Sequence, residues 1–198
     1  MPGFTTHTGK IAVLNDDNID TDRIIPARFL TRVTRTGYGK LLFSDVRGPD
    51  FVLDRPESDG ATILVVGTNF GCGSSREHAV WAVQQAGFKA VISRRTPESA
   101  GYGDIFRQNS ATCGLLLIEL EPEAHAFLTR AGTGSTVTID LPKQEIEVGG
   151  TTLHFDVNPG LKSQLIEGLD LIGTTLRHEA KIGEYERNDQ TYVPTAAE

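Results

Sequence analysis

Two serines and an arginine stand side by side in Gly71-Cys72-Gly73-Ser74-Ser75-Arg76-Glu77-His78. The segment follows an apolar run at 61–66, Ala-Thr-Ile-Leu-Val-Val, whose length and β-branched content predict a buried strand. It precedes a helix-forming stretch at 79–86, closed by Gly87. Strand, glycine loop and helix start therefore converge on Ser74, Ser75 and Arg76. Free N–H groups at a helix N-terminus carry partial positive charge and suit an anion. The planar guanidinium of Arg76 can hold a carboxylate through two hydrogen bonds. The combination points to a site for an acidic substrate. Each residue also has a plainer reading. Ser74 and Glu77 have the spacing of a capping box, Arg76 alone would suit a solvated surface, and His78 fits a packed side chain in the first helical turn.

Two nucleotide motifs fit poorly. A dinucleotide fingerprint needs a third glycine where Arg76 stands, and a P-loop needs a lysine that is absent between Gly60 and Phe88. The formal net charge of −7 argues against a general nucleic-acid surface. Basic residues do gather between Arg23 and Arg35 and at Arg94-Arg95; such clusters usually mean a solvated face, but near an anion site they could steer substrate. At 198 residues, 23% charged and 38% hydrophobic, the chain has the balance of a globular protein with one well-buried core. No apolar stretch approaches a membrane span, and the first seven residues lack the hydrophobic core of a signal peptide, so the expected location is the cytoplasm. Cys72 and Cys113 lack paired metal-ligand spacing, and no metal ligand is assigned. An iron–sulfur cluster takes about four cysteines, or three with an open iron. Chemistry needing such a cluster would have to find it on another chain.

Around the glycine loop, strands are expected at 10–14, 88–93 and 114–120, with helices at 101–109 and 122–130. Strand–helix–strand units of this kind imply a parallel sheet. Between them, 15–26 reads as a polar turn leading into a buried strand, and 27–47, with Gly37 and Gly39, as a mobile amphipathic loop. Alternating segments follow at 135–140, 145–148 and 151–156, the last two joined by a Gly149-Gly150 hairpin turn. Helices are expected at 161–167 and 176–187, then a frayed tail at 189–198. One mixed α/β domain over 1–198 accounts for all of it.

The Gly71–Ala79 segment resembles the signature of the small, swivelling domain of the aconitase superfamily. Asn18-Ile19-Asp20-Thr21-Asp22-x-Ile24-Ile25-Pro26-Ala27-x-Phe29-Leu30 narrows the resemblance, as do Val33-Thr34-Arg35-Thr36-Gly37, Asp104-Ile105-Phe106 with Asn109, and Gly168-Leu169-Asp170. Over nearly its whole length the chain is similar to the small-subunit family of bacterial 3-isopropylmalate dehydratases. Arg23 and Ser110-Ala111-Thr112-Cys113 depart locally from that pattern.

The resemblance implies a three-layer β/β/α swivelling domain with a mostly parallel central sheet. It implies a hydro-lyase subunit of leucine biosynthesis, active only with a large subunit in a heterodimer or higher hetero-oligomer. That partner would carry a 4Fe–4S cluster whose open iron acts as a Lewis acid on the departing hydroxyl. The substrate would be a small hydroxy-dicarboxylic acid, 2-isopropylmalate, interconverted with 3-isopropylmalate by loss and return of water; no nucleic acid or membrane is involved. By resemblance Ser74 is the catalytic base, and Ser75 and Arg76 bind a substrate carboxylate. Phe29, Leu30, Arg32, Val33 and Arg35 form the substrate-specificity loop, an apolar pocket for the isopropyl group edged by two cations. Those cations equally suit an additional carboxylate, which leaves citramalate, dimethylmalate or homoaconitate-type acids as alternatives. A stand-alone carboxylate- or nucleotide-binding module is the reading of a different class.

Overall fold

The elements of the computed structural model, which describes residues 3–32, 34–74 and 76–188, follow from two periodicities. β2 (Ala61–Val66), β3 (Ala90–Arg94) and β4 (Leu116–Leu120) alternate with α2 (Glu77–Gln85) and α3 (Asp104–Cys113). The apolar runs of β2 and β3 bury both faces, as parallel strands under helical crossovers do, whereas β4 at the edge of the sheet alternates buried and half-buried residues. β1 (Thr6–Leu14) completes a parallel set in the order β4-β3-β2-β1. Beyond β1 the sheet continues as an antiparallel meander of β5 (Thr136–Asp140), β6 (Glu145–Val148) and β7 (Thr151–His154). Gly149 and Gly150 turn β6 into β7 with φ of 56° and 79°, the left-handed pair that a two-residue hairpin requires.

β1 divides its length between the two halves of the sheet. Its first part, Thr6 to Lys10, pairs with β5, and its second, Lys10 to Leu14, pairs with β2. The register shifts between Lys10 and Ile11. The meander can therefore swing away from the parallel strands and enclose a second core. Alternation along β2 sorts its side chains accordingly. Leu64 and Val66 join Val80, Val83 and Phe106 of α2 and α3 in one core. Ile63 and Val65 join Ile139, Ile146, Leu128 and Leu165 in the other. Leu128 lies on α4 (Pro122–Ala131) and Leu165 on α5 (Pro159–Glu167). The expected β/β/α layering is present.

Three segments differ from the expectation. The basic, glycine-containing stretch at 27–47 is a packed strap in its second half, because Tyr38, Leu42 and Phe43 are fully buried. The polar turn at 15–26 contains a short helix, α1 (Thr21–Ile24), which Asp20 caps by accepting the Arg23 N–H at 2.7 Å. The C-terminal helix is broken into α6 (Leu171–Leu176) and α7 (Glu179–Asn188), with Ile172, Leu176 and Tyr185 exposed. The tail at 189–198 lies outside the described residues.

His125 of α4 joins the helix to the end of β2. It is 1% exposed and its Nε2 lies 2.7 Å from the Val66 carbonyl, to which it donates. Burial lowers its pKa, with the Val66 bond opposing. A histidine whose folded pKa is depressed stabilises the fold above the unfolded value of about 6.5, and that contribution is lost as pH falls below it. The thermal midpoint should therefore drop between pH 7 and pH 5, and His125→Gln should flatten that slope. Scanning fluorimetry of both proteins across this range checks it; identical slopes would remove His125 as the source.

Candidate active site

The loops after β1 and β2 leave the carboxyl ends of parallel strands, where ligands bind in open α/β sheets. They are joined to each other along their length. Gly67 N–H donates to Asp16 O at 3.2 Å, Asn18 N–H to Thr68 O at 2.9 Å, Gly71 N–H to Ile19 O at 2.7 Å and Thr21 N–H to Cys72 O at 3.1 Å. On the other side, Asn69 and Phe70 N–H donate to Ala100 and Gly101 carbonyls, both at 2.9 Å. Asn18 and Asn69 both have a φ of 56°, a left-handed position that asparagine tolerates, and their amides pair at 2.8 Å. Asp17 accepts the Thr68 N–H at 2.7 Å and two bonds from Arg94. Partial burial works to raise its carboxyl, but these donors outweigh it and hold the group below the usual range.

Glycines make the last turn into the helix. Gly71 has φ +73°, and a Cβ there would lie 2.3 Å from Cγ of Phe106. Gly71→Ala should cost about 2–5 kcal/mol, combining left-handed strain with a core clash. Chemical denaturation measures it, and a loss below about 1 kcal/mol would contradict the close packing described. Gly73, φ +85°, then releases the chain toward Ser74.

α2 begins at Glu77, with Arg76 in extended conformation at the N-cap and no side-chain cap. The capping box allowed by the sequence does not form, because Ser74 precedes the cap by two residues and Glu77 turns toward Cys113. Among the described residues, the N–H groups of the first turn have no side-chain acceptor, beside Ser74 and Arg76. Both residues are exposed, and among the described residues neither side chain has a hydrogen-bond or ion-pair partner. Other arginines are engaged: Arg23 with Asp16, Arg94 with Asp17, Arg95 with Glu121 and Arg107 with Glu119. Arg94 and Arg95 are thus occupied rather than free to steer an acid. Ser75 lies outside the described residues.

The proposed specificity loop is fastened along α2. Gln85 accepts the Tyr38 N–H at 2.9 Å and donates to the Arg35 carbonyl at 2.8 Å. Tyr38 packs edge to face on His78 and Trp81, which tilt against each other, with centroids 4.7–5.6 Å apart. Arg32 lies 5.6 Å over the Tyr38 ring and Arg35 5.5 Å over Trp81. Phe29 and Leu30 are half-buried, Phe29 against the first core, and Val33 lies outside the described residues. His78 is packed as the sequence allowed, but its buried Nδ1 has no partner.

Residues 1–123 match the family described as the aconitase C-terminal domain. The chain is 46% identical to the 3-isopropylmalate dehydratase small subunit of Salinispora tropica, over 100% of both chains. It is 45% identical to that of Micrococcus luteus, over 98% of this chain and 96% of the other. The chain belongs to the 3-isopropylmalate dehydratase small-subunit family. A crystal structure of 3-isopropylmalate dehydratase from Methanocaldococcus jannaschii aligns with a TM-score of 0.67 and 27% identity, over 91% of this chain and 99% of that one. The layered sheet expected from the resemblance is the fold that this small-subunit family shares.

The residues of this chain do not fit an iron–sulfur cluster of its own. Cys72 lies on the glycine loop, with its thiol pushed up by burial and then by Asp20. Cys113 lies at the end of α3, bonded to Glu77. Among the described residues no His, Cys, Asp and Glu side chains are grouped to hold a metal, and no helix is long and apolar enough to cross a membrane. Ser74 and Arg76 line neither of two clefts of the fold, one of about 340 Å³ bounded by Phe4, His7, Gln84 and Lys89, and one of about 370 Å³ bounded by Arg107, Glu119 and Leu161. The candidate site is an open surface. The aromatic ladder of Tyr38, His78 and Trp81 and the Glu77–Cys113 contact are the parts that sequence reasoning missed. The His78–Trp81 spacing, one helical turn, was the available signal for the ladder.

Proposed function

We propose that this chain is the small subunit of 3-isopropylmalate dehydratase, a cytoplasmic hydro-lyase of leucine biosynthesis, built as a single swivelling domain over 1–198. The observation that carries the reading is the Arg76 guanidinium at a helix N-terminus, next to the Ser74 hydroxyl, both exposed and neither with a side-chain partner among the described residues. Arg76 and the open α2 amides bind one carboxylate of 2-isopropylmalate, with Ser75 assisting. Ser74 Oγ, as an alkoxide, removes the proton from the carbon beside that carboxylate. The C–H bond breaks, an O–H bond forms on Ser74, and the electron pair becomes the new double bond as hydroxide leaves the neighbouring carbon. A serine hydroxyl is too weakly acidic to do this in water; the guanidinium, the helix terminus and exclusion of solvent by a partner lower that barrier. Ser74 returns the proton on rehydration.

The open surface supports a large-subunit partner that completes the site, and the 4Fe–4S cluster belongs on that partner. Phe29, Leu30 and Val33 contact the isopropyl group. Arg32 and Arg35, held over rings rather than by carboxylates, favour keeping the related hydroxy-acids as a second reading. Turnover by the reconstituted complex across 2-isopropylmalate, citramalate, dimethylmalate and homoaconitate-type acids separates the two. The highest kcat/KM should fall on 2-isopropylmalate. Preference for an acid with an additional carboxylate would assign the chain to the relative, and tight ligand binding by the isolated chain without turnover would favour a binding module.

A further inference from the structure

Glu77 presents a problem to the site. It is the first helical residue of α2, immediately after Arg76, and its carboxylate is an anion beside a helix N-terminus that no side chain caps. An acid in that position can cap the free amides or pair with the neighbouring guanidinium. Either arrangement would occupy the groups that a substrate carboxylate needs.

The structure holds it elsewhere. Cys113 Sγ, at the end of α3, donates to Glu77 Oε1 at 3.3 Å. The thiol is pushed up to about 12 by burial and then by Glu77, so at neutral pH it is protonated and a donor. Gln84 Nε2 donates to the Cys113 carbonyl at 2.9 Å, fixing the same residue to α2 at a second point. Glu77, Trp81 and Gln84, at spacings of four and three, present one face of α2 to Cys113.

We propose that Cys113 is a positioning residue that sequesters the Glu77 carboxylate against α3, keeping the Arg76 guanidinium and the α2 amides open to substrate. The proposal rests on Arg76 being the carboxylate anchor. In the assembled enzyme Cys113→Ala frees Glu77 to compete within the molecule. KM for 2-isopropylmalate should rise about tenfold, the equivalent of one hydrogen bond to a charged group, with kcat little changed. Cys113→Ser, whose hydroxyl can donate to the same oxygen, should restore the wild-type KM. Adding Glu77→Gln to Cys113→Ala should restore it as well, because a neutral amide is a poor competitor for the anion site; a packing defect would not be repaired that way. A double variant as impaired as Cys113→Ala, or an unchanged KM in Cys113→Ala, overturns the proposal. A crystal structure of the Cys113→Ala chain reads the contact without turnover. Glu77 turned onto Arg76 or the α2 amides supports it, and Glu77 still facing α3 overturns it. Failure of the wild-type complex to turn over 2-isopropylmalate counts against the function and leaves that crystallographic test standing.

Discussion

Ser74→Ala in the assembled enzyme should lower kcat about 10³-fold, within the range that a positioned acid or base contributes. The substitution removes one exposed hydroxyl that has no partner among the described residues, so the fold and the association of the subunits should be untouched. KM should move little, because the carboxylate is held by Arg76 and the α2 amides. Rapid-mixing or steady-state assays, with binding to the large subunit measured in parallel, separate the chemical step from assembly. A variant that keeps more than about a tenth of wild-type kcat would take the proton-transfer role away from Ser74.

Arg76→Lys should lower kcat/KM about 10- to 100-fold, even though the charge is kept. Lysine is a point charge on a flexible stem, whereas the guanidinium presents a planar fork that matches a carboxylate at two atoms. No acidic side chain of the described chain pairs with Arg76, so the substitution breaks no internal ion pair and stability should be unchanged. The loss should appear in kcat as well as KM, because proton removal beside a carboxylate depends on that carboxylate being held in place. Near-normal turnover by Arg76→Lys at saturating partner would remove Arg76 from the site.

The parts of the molecule that could be read from the sequence are those set by neighbours along the chain. β2 and β6 fall on the expected residues because burial on both faces, or strict alternation, is a local pattern. Gly149-Gly150 marks its hairpin because glycine takes two left-handed positions in succession without steric strain. Ser74 and Arg76 lie side by side for the same reason, being carried by one continuous loop. What depends on packing was not. Tyr38, Leu42 and Phe43 become core only because α2 lies over them, and among basic residues and glycines they resemble loop. The capping box failed because its local pattern competes with Cys113, 36 residues away, for the Glu77 carboxylate. The partner switch within β1 depends on β2 and β5, which arrive from opposite ends of the chain. Arg94, 77 residues from Asp17, reads as a free cation until the sheet brings the two together.

The most direct test of the central claim is anaerobic turnover of 2-isopropylmalate by this chain, alone and mixed with a large subunit carrying a reconstituted cluster. No turnover by the chain alone and robust turnover in the mixture, lost with Ser74→Ala while the subunits still associate, is the predicted result. Association with no turnover of 2-isopropylmalate, or turnover that survives the loss of Ser74, would contradict it.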